Sequence, residues 1–237
     1  MCGRFTLKQS SAAIANLFCV ENIPDLAAQY NIAPTQRVAT VLHNPETDKH
    51  EFQQLRWGLI PSWAKDPKIG VKLINARAET VAEKPAFRSA FKQRRCLVLA
   101  DGFYEWKRQN GKKQPFYFHL CDGQPFGFAG LWERWRPPQD KPDYEEIISC
   151  TILTTAANEL VQPIHHRMPV IVSPQDYDLW LNPQMSTPEQ LEQLLCPYPD
   201  QAMASYPVSS LVNNSRQNSS KCIIPLGEEN SLPENIF

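Results

Sequence analysis

The chain has 237 residues, 42% hydrophobic and 21% charged, with a formal net charge of −1. That length suits one large domain or two small ones, and the apolar content is enough for a buried core, which excludes a disordered chain. No apolar run approaches the roughly 18 residues of a membrane helix, Met1-Cys2-Gly3-Arg4-Phe5 lacks the basic-then-apolar order of a signal peptide, and a uniformly basic nucleic-acid protein is excluded too.

The charge is unevenly spread. Residues 1–120 hold 18 Lys+Arg against 10 Asp+Glu, a balance of +8, and residues 121–237 hold 6 against 15, a balance of −9. Either the two halves attract each other, or the basic half faces an external anion. Seven cysteines stand at positions 2, 19, 96, 121, 150, 196 and 222. Their odd number and the lack of any Cys-x-x-Cys argue against a zinc ribbon or a secreted disulfide framework, and for a reducing cytoplasmic or nuclear compartment. Cys96, Cys121 and Cys150 lie in apolar, strand-like runs and read as core fillers. Cys2 lies in no such run.

Residues 10–20 place Ala13, Ile14, Leu17 and Phe18 at a helical period. Residues 37–42 and 51–59 read as strands. Residues 85–95 read as a basic amphipathic helix with Pro85 in its first turn, and 96–100 as a short apolar strand. Residues 103–108 and 114–120 flank Asn110-Gly111, a hairpin signal. Asp122-Gly123 marks another turn before a strand at 126–132. Further strands are expected at 146–155 and 170–173, and helices at 175–181 and 188–195. The proline-rich stretch 134–143 reads as a surface loop. Hairpin-joined strands outnumber strand–helix–strand units. The expected fold is therefore α+β, a single domain on a mostly antiparallel, curled or barrel-like sheet with flanking helices. It is expected to span residues 1–226, with a short acidic tail at 227–237. With no exposed helical stripe, the expectation is a monomer.

Cys2 stands where removal of Met1 would expose it, since methionine is generally removed before a small residue. An N-terminal cysteine carries a thiol and an α-amine on neighbouring carbons, and the amine's reference pKa of about 7.7–8.0 leaves a nucleophilic fraction at neutral pH. An aldehyde condenses with that amine to an imine, and the thiol closes a thiazolidine. Gly3 permits close backbone approach, and Arg4 suits an anion. In 73–80, Asn75, Arg77 and Glu79 share one face if the segment is extended. The alternative is a solvated strand face. Glu105 sits between aromatics in Phe103-Tyr104-Glu105-Trp106, where burial would raise its pKa and suit it to general acid–base work. His165 and His166 lie in a loop before a strand. Histidine moves protons near neutral pH, but two adjacent histidines chelate poorly and the other three lack ligand spacing, so no metal is expected. Trp57, Trp106, Trp132 and Trp180 read as core packing, while Trp63, after Pro61-Ser62, is a candidate for stacking on bases.

Seven motifs in order then carry a family resemblance: Met1-Cys2-Gly3-Arg4-Phe5, Tyr30-Asn31-Ile32-Ala33-Pro34, Trp57-Gly58-Leu59-Ile60-Pro61, Ile74 to Thr80, Ala100 to Trp106, His165-x-Arg167-Met168-Pro169, and Pro207-Val208-Ser209 through Val212-Asn213-Asn214. Together they resemble the SRAP (SOS response-associated peptidase) family of abasic-site processing proteins. The resemblance implies binding of single-stranded DNA and covalent trapping of its abasic sites as a thiazolidine that shields them from strand cleavage. It also implies some lyase activity, no cofactor, and a peptidase activity understood as self-removal of Met1. It implies a cytoplasmic protein, nucleoid-associated in a bacterium or nuclear in a eukaryote. By the same resemblance Cys2 is the nucleophile, Asn75 positions the N-terminal residue and sugar, Glu105 is the catalytic glutamate, and His165 assists ring opening. Arg4, Asn31, Trp63, Arg77 and Arg167 are the expected DNA contacts. A basic stretch (Lys84, Arg88, Lys92, Arg94, Arg95) and the hairpin cations Lys107, Arg108, Lys112 and Lys113 are expected to add phosphate contacts. His166 departs from the family pattern, standing where many relatives carry aspartate, and 215–218 is looser than usual. Two other readings exist. One is a non-catalytic reader of damaged DNA. The other is an N-terminal-cysteine amidohydrolase, disfavoured because its Arg-Gly-Pro-Asp-like and Asn-Gly-Glu segments are missing here.

Overall fold

The computed structural model describes residues 2–109, 111–137, 145–184 and 187–227. Its strands are β1 (Phe5–Leu7), β2 (Gln29–Ile32), β3 (Arg37–Asn44), β4 (Lys49–Trp57), β5 (Asn75–Arg77), β6 (Arg95–Ala100), β7 (Gly102–Gln109), β8 (Lys112–Leu120), β9 (Phe126–Trp135), β10 (Ile147–Ala156), β11 (Arg167–Pro169), β12 (Ile171–Val172) and β13 (Met203–Pro207). The α-helices are α1 (Ser11–Phe18), α2 (Arg88–Gln93), α3 (Tyr177–Leu181) and α4 (Pro188–Leu194). One sheet runs β13-β8-β7-β1-β2. The other runs β11-β10-β4-β3-β6-β9-β12, with β5 added beside β10. Because β9 also pairs with β10, the path β10-β4-β3-β6-β9 closes on itself. The expected α+β fold on a curled sheet is what forms. Among the described strands β10 departs from antiparallel pairing, lying parallel to β4 and β5, and an isolated parallel bridge joins Val20 to His50 of β4.

Local chemistry explains most boundaries. Ser10 caps α1 by accepting from Ala13 N–H, and Cys19 ends it in the left-handed region at φ 51°. Thr187 and Gln190 form a reciprocal capping box on α4. The helix expected at 85–95 shortens to α2, because Arg95 already belongs to β6. Its buried guanidinium turns back to accept the role of a C-terminal cap, donating to the carbonyls of Phe91 and Lys92 (both 2.9 Å) and to those of Trp180 and Asn182. Arg94 pairs with Glu133 at 2.9 Å. These two arginines therefore serve the fold rather than DNA. Cys121 corrects its expectation as well: it is exposed just past the end of β8. Of the loop expected at 134–143, Arg134 and Trp135 continue β9, and 138–144 lie outside the described residues, as do Asn110 and 228–237. No helix among the described residues is long and apolar enough to cross a membrane.

Phe5 joins the two sheets, meeting Trp57 at 5.1 Å and Phe128 at 5.7 Å between ring centroids, both edge-on. The two-residue period of β7 then divides its motif between two cores. Phe103 joins the main one and stacks on Phe118 at 5.0 Å. Tyr104 and Trp106 face a smaller cluster with Tyr117, Val208, Val212 and Cys222. The turn into β7 needs Asp101 and Gly102. Asp101 is buried and accepts from Thr6 Oγ1, Lys8 N–H and Gln9 N–H, which fixes the chain leaving β1. A Cβ on Gly102 would fall 2.2 Å from the Tyr117 hydroxyl.

Candidate functional site

The main-chain ladder between β1 and β7 extends toward the N-terminus, with Tyr104 N–H donating to Arg4 O at 3.0 Å. This brings Cys2 alongside Glu105, at the seam between the sheets. From the other sheet, β10 holds β5 in parallel register, Ile152 opposite Asn75. Trp57 Nε1 fixes the preceding carbonyl, that of Ile74, at 2.8 Å. Asn75 Nδ2 then donates to Cys2 O at 2.7 Å. The other amide atom, Asn75 Oδ1, is buried and accepts no hydrogen bond among the described residues. Such an acceptor is costly to leave unsatisfied.

Cys2 is fully buried, its Sγ 4.0 Å from Arg4 O. Burial first, and then the nearby charge of Glu105, push its thiol far above the ordinary range, so it rests as the neutral thiol. Glu105 is 3% exposed. Burial raises its carboxyl, and the positive chain terminus pulls it the other way. A carboxyl held nearer to neutrality in this way can give or take a proton.

Glu105, His165, Arg4, Lys107, Arg108 and Lys113 all line one cleft of about 760 Å³. His165 reaches it from a turn that Asn158 caps, its Oδ1 accepting from Val161 N–H at 3.0 Å. His165 N–H donates to Val161 O at 2.9 Å and ends the turn just before β11. Its Nδ1 lies 3.0 Å from both Arg167 N and Arg167 O. A neutral ring whose Nδ1 accepts from Arg167 N–H carries its proton on Nε2, and one whose Nδ1–H donates to Arg167 O leaves Nε2 as an acceptor. In the charged ring Nδ1–H donates to Arg167 O. Burial lowers the pKa of His165 and so favours the neutral ring. His166 is exposed and stacks on it at 4.6 Å.

The structure thus brings Cys2, Asn75 and Glu105 together, and sets His165 and Arg4 on the cleft that Glu105 lines, with Cys2 and Asn75 behind its lining. Arg77 and Trp63 are exposed, Trp63 by 60%, but do not line it. Two expected DNA contacts are placed differently. Asn31 is buried. It accepts from Arg4 Nη1 at 2.7 Å and donates to the carbonyls of Val212, Asn214 and Gln217, so its side chain ties the C-terminal loop to Arg4. Arg167 forms a two-pronged ion pair with Glu79 (2.5 and 3.0 Å) and also donates to Thr154 O. Arg4 itself donates to Val212 O at 2.6 Å and lies over the Trp106 ring at 5.9 Å.

Two positions escaped the sequence reading. Asn213 accepts from Trp106 Nε1 at 2.7 Å, so the Val212-Asn213-Asn214 motif walls the cleft. Glu79 was singled out only as a polar face, and nothing in a single sequence pairs it with Arg167. Among the described residues no group of three or more His, Cys, Asp or Glu could hold a metal ion.

A family model described as SOS response associated peptidase (SRAP) matches residues 1–215. The chain is 45% identical over 227 residues to the abasic site processing protein YoqW of Bacillus subtilis, covering 94% of this chain and 99% of that protein. It is 32% identical over 236 residues to the abasic site processing protein YedK of Escherichia coli, covering 95% and 100%. An X-ray structure of a Bacteroides thetaiotaomicron protein matches with a TM-score of 0.84 at 27% identity, over 95% of this chain and 100% of that one. On a family match of that extent and relatives aligned over almost their whole length, the chain belongs to the SOS response associated peptidase family.

Proposed function

We propose that this protein processes abasic sites in single-stranded DNA, capturing them covalently on Cys2 once Met1 has been removed. Relatives of near-equal length are named abasic site processing proteins. The observation that carries the reading is Asn75, which holds the Cys2 carbonyl with one amide atom and keeps a buried, unfilled acceptor with the other. That acceptor suits the freed α-amine or a sugar hydroxyl.

Hydrolysis of the Met1–Cys2 peptide bond, here the chain's own peptidase activity, frees the amine. His165 Nε2–H donates to the sugar ring oxygen and favours the open aldehyde. The Cys2 nitrogen attacks C1′, and water leaves to give the imine, with Glu105 supplying the proton that the departing hydroxyl needs. The neutral thiol then adds across the C=N bond: sulfur bonds to C1′ and the thiol proton passes to nitrogen. Proton transfer by a positioned side chain contributes about 10²–10⁴-fold. An imine left open would permit β-elimination and strand cleavage, a residual lyase activity that ring closure suppresses. Arg4, Lys107, Arg108 and Lys113 in the cleft, with Arg77 and Trp63 outside it, would hold phosphates and stack a base.

The test is a single-stranded oligonucleotide with one abasic site, incubated with the protein and run on a denaturing gel. Wild type should give a stable adduct, and an N-terminally extended form with the thiol intact should give none. An equally stable adduct from Cys2→Ser would sink the thiazolidine mechanism. Binding without any adduct from wild type would favour the non-catalytic reader.

A further inference from the structure

We infer a second anion site on the outer face of the β3–β4 pair, built on Arg37 and Arg56 and suited to the phosphate group of a nucleotide. The register places these two arginines directly opposite each other across the ladder. Like charges at that position repel and destabilise a sheet unless something neutralises them. Neither guanidinium has a hydrogen-bond or ion-pair partner among the described residues. Arg56 Nε is buried and unsatisfied. Three other arginines share a buried Nε without a partner, but each anchors its terminal nitrogens: Arg4 on Asn31, Arg94 on Glu133 and Arg167 on Glu79. Arg56 alone among the four anchors none.

The surroundings are shaped for a ligand. A cleft of about 670 Å³ lies over the pair, lined also by Gln53 and Gln54, with Ile147 and Ile148 as its apolar part. Thr35 borders it at φ 74°, a left-handed conformation that a β-branched residue rarely adopts. It is held there by its N–H on Trp57 O at 2.8 Å, while Trp57 N–H donates to Gln36 O at 2.9 Å. Backbone held in a sparsely populated conformation by surrounding bonds is a feature of binding sites. Two carboxylates share the rim. Glu146 is neutralised by Arg134 at 3.4 Å and Arg136 at 2.9 Å. Glu145 is exposed, and is placed to accept from a base amino group or sugar hydroxyl. Paired forks that match phosphate oxygens, an apolar wall and one outer acceptor together describe a nucleotide unit.

That unit is either part of the DNA strand leaving the cleft of Glu105 and His165 or a free nucleotide. The strand source rests on the function proposed above. The two are separated by binding measurements on the full chain with wild type, Arg37→Gln and Arg56→Lys, the last keeping the charge but losing the fork. Probes are a deoxynucleoside monophosphate and single-stranded oligonucleotides, one short and one long. If the strand is the source, Arg37→Gln binds the long oligonucleotide several-fold more weakly, and its log–log salt slope flattens by about 0.7, one phosphate's worth. Arg56→Lys should fall between it and wild type, and capture of an abasic site on the short oligonucleotide should persist. Loss on the monophosphate alone assigns the site to a free nucleotide. Unchanged binding of every probe by both variants overturns the site. Absence of adduct with wild type, beside a variant effect on the monophosphate, overturns only the capture reading.

Discussion

In the proposed capture mechanism Glu105 would serve chemistry at a cost in stability. Burial raises its carboxyl, so the folded protein holds that proton to higher pH than the unfolded chain does. Native protein then binds more protons than unfolded protein between the ordinary carboxylate range and the raised value. Stability falls as pH rises through that window. Glu105→Gln removes the buried ionisation. The variant should melt higher than wild type at neutral pH, and the difference should vanish in acid, where both side chains are neutral. Its capture rate should fall by about 10²-fold or more, because the proton relay is lost. Thermal melts across pH and timed denaturing gels check both halves, and a Glu105→Gln that melts lower than wild type at neutral pH contradicts the account. Glu105 was legible from sequence through its motif, while its burial was one of two readings, the other an exposed hairpin carboxylate. The two-residue period of β7 decides it by turning Glu105 to the side of Phe103, away from Tyr104 and Trp106. Asn31 and Arg167 were legible only as residue types. Their partners, the Val212–Gln217 carbonyls and Glu79, lie far away in sequence, and a single chain carries no record of that contact.

The same limit decides which elements could be foreseen. β3, β4 and β6 to β10 are long apolar or alternating runs, and the sequence reading places each within a few residues. β1, β2, β5, β11 and β13 are three to five residues long, too short for a period to show, yet β1, β5 and β11 carry the candidate site; β12 falls inside the strand expected at 170–173. The parallel contact of β10 with β4 and β5 has no local signature, and it alone delivers Asn75 to Cys2. Glu79, just after β5, and Arg167, which opens β11, bind the two site-bearing segments together. Arg167 in turn holds His165 through its backbone. We therefore expect Glu79→Gln to change the acid limb of the capture rate, where His165 titrates, more than it changes stability. The pair is half exposed at Glu79, so its loss should cost at most about 1 kcal/mol. The hydrogen bond to Arg167 lowers the pKa of Glu79. This contribution is present above the ordinary carboxylate value and disappears as pH falls through the depressed one. A pH–rate profile identical to wild type would show that the pair holds only the fold.

The opposed charges of the two halves admitted two explanations, and the ion pairs separate them. Between described residues of the two halves, Arg94 pairs with Glu133, and His50 meets Asp178 at 3.0 Å. Glu79 and Arg167 cross in the reverse sense. Glu146 is satisfied within its own half, and Lys8 and Lys49 within theirs. Ion pairs between described residues of the two halves are thus few. Several cations of the first half are gathered instead: Arg4, Lys107, Arg108 and Lys113 converge on the cleft that holds Glu105 and His165. Such a cleft concentrates an anionic strand by its field, and the near-zero net charge limits adhesion elsewhere. Affinity for single-stranded DNA should therefore fall steeply with salt, by about 0.7 in log–log slope for each phosphate neutralised. Lys107→Gln and Lys113→Gln should each flatten that slope. Lys49→Gln, at the far β3–β4 turn beside Glu21, should leave it unchanged. Equal flattening by all three would mean that the protein attracts DNA by its overall charge, and a flat response in wild type would remove the phosphate groove altogether.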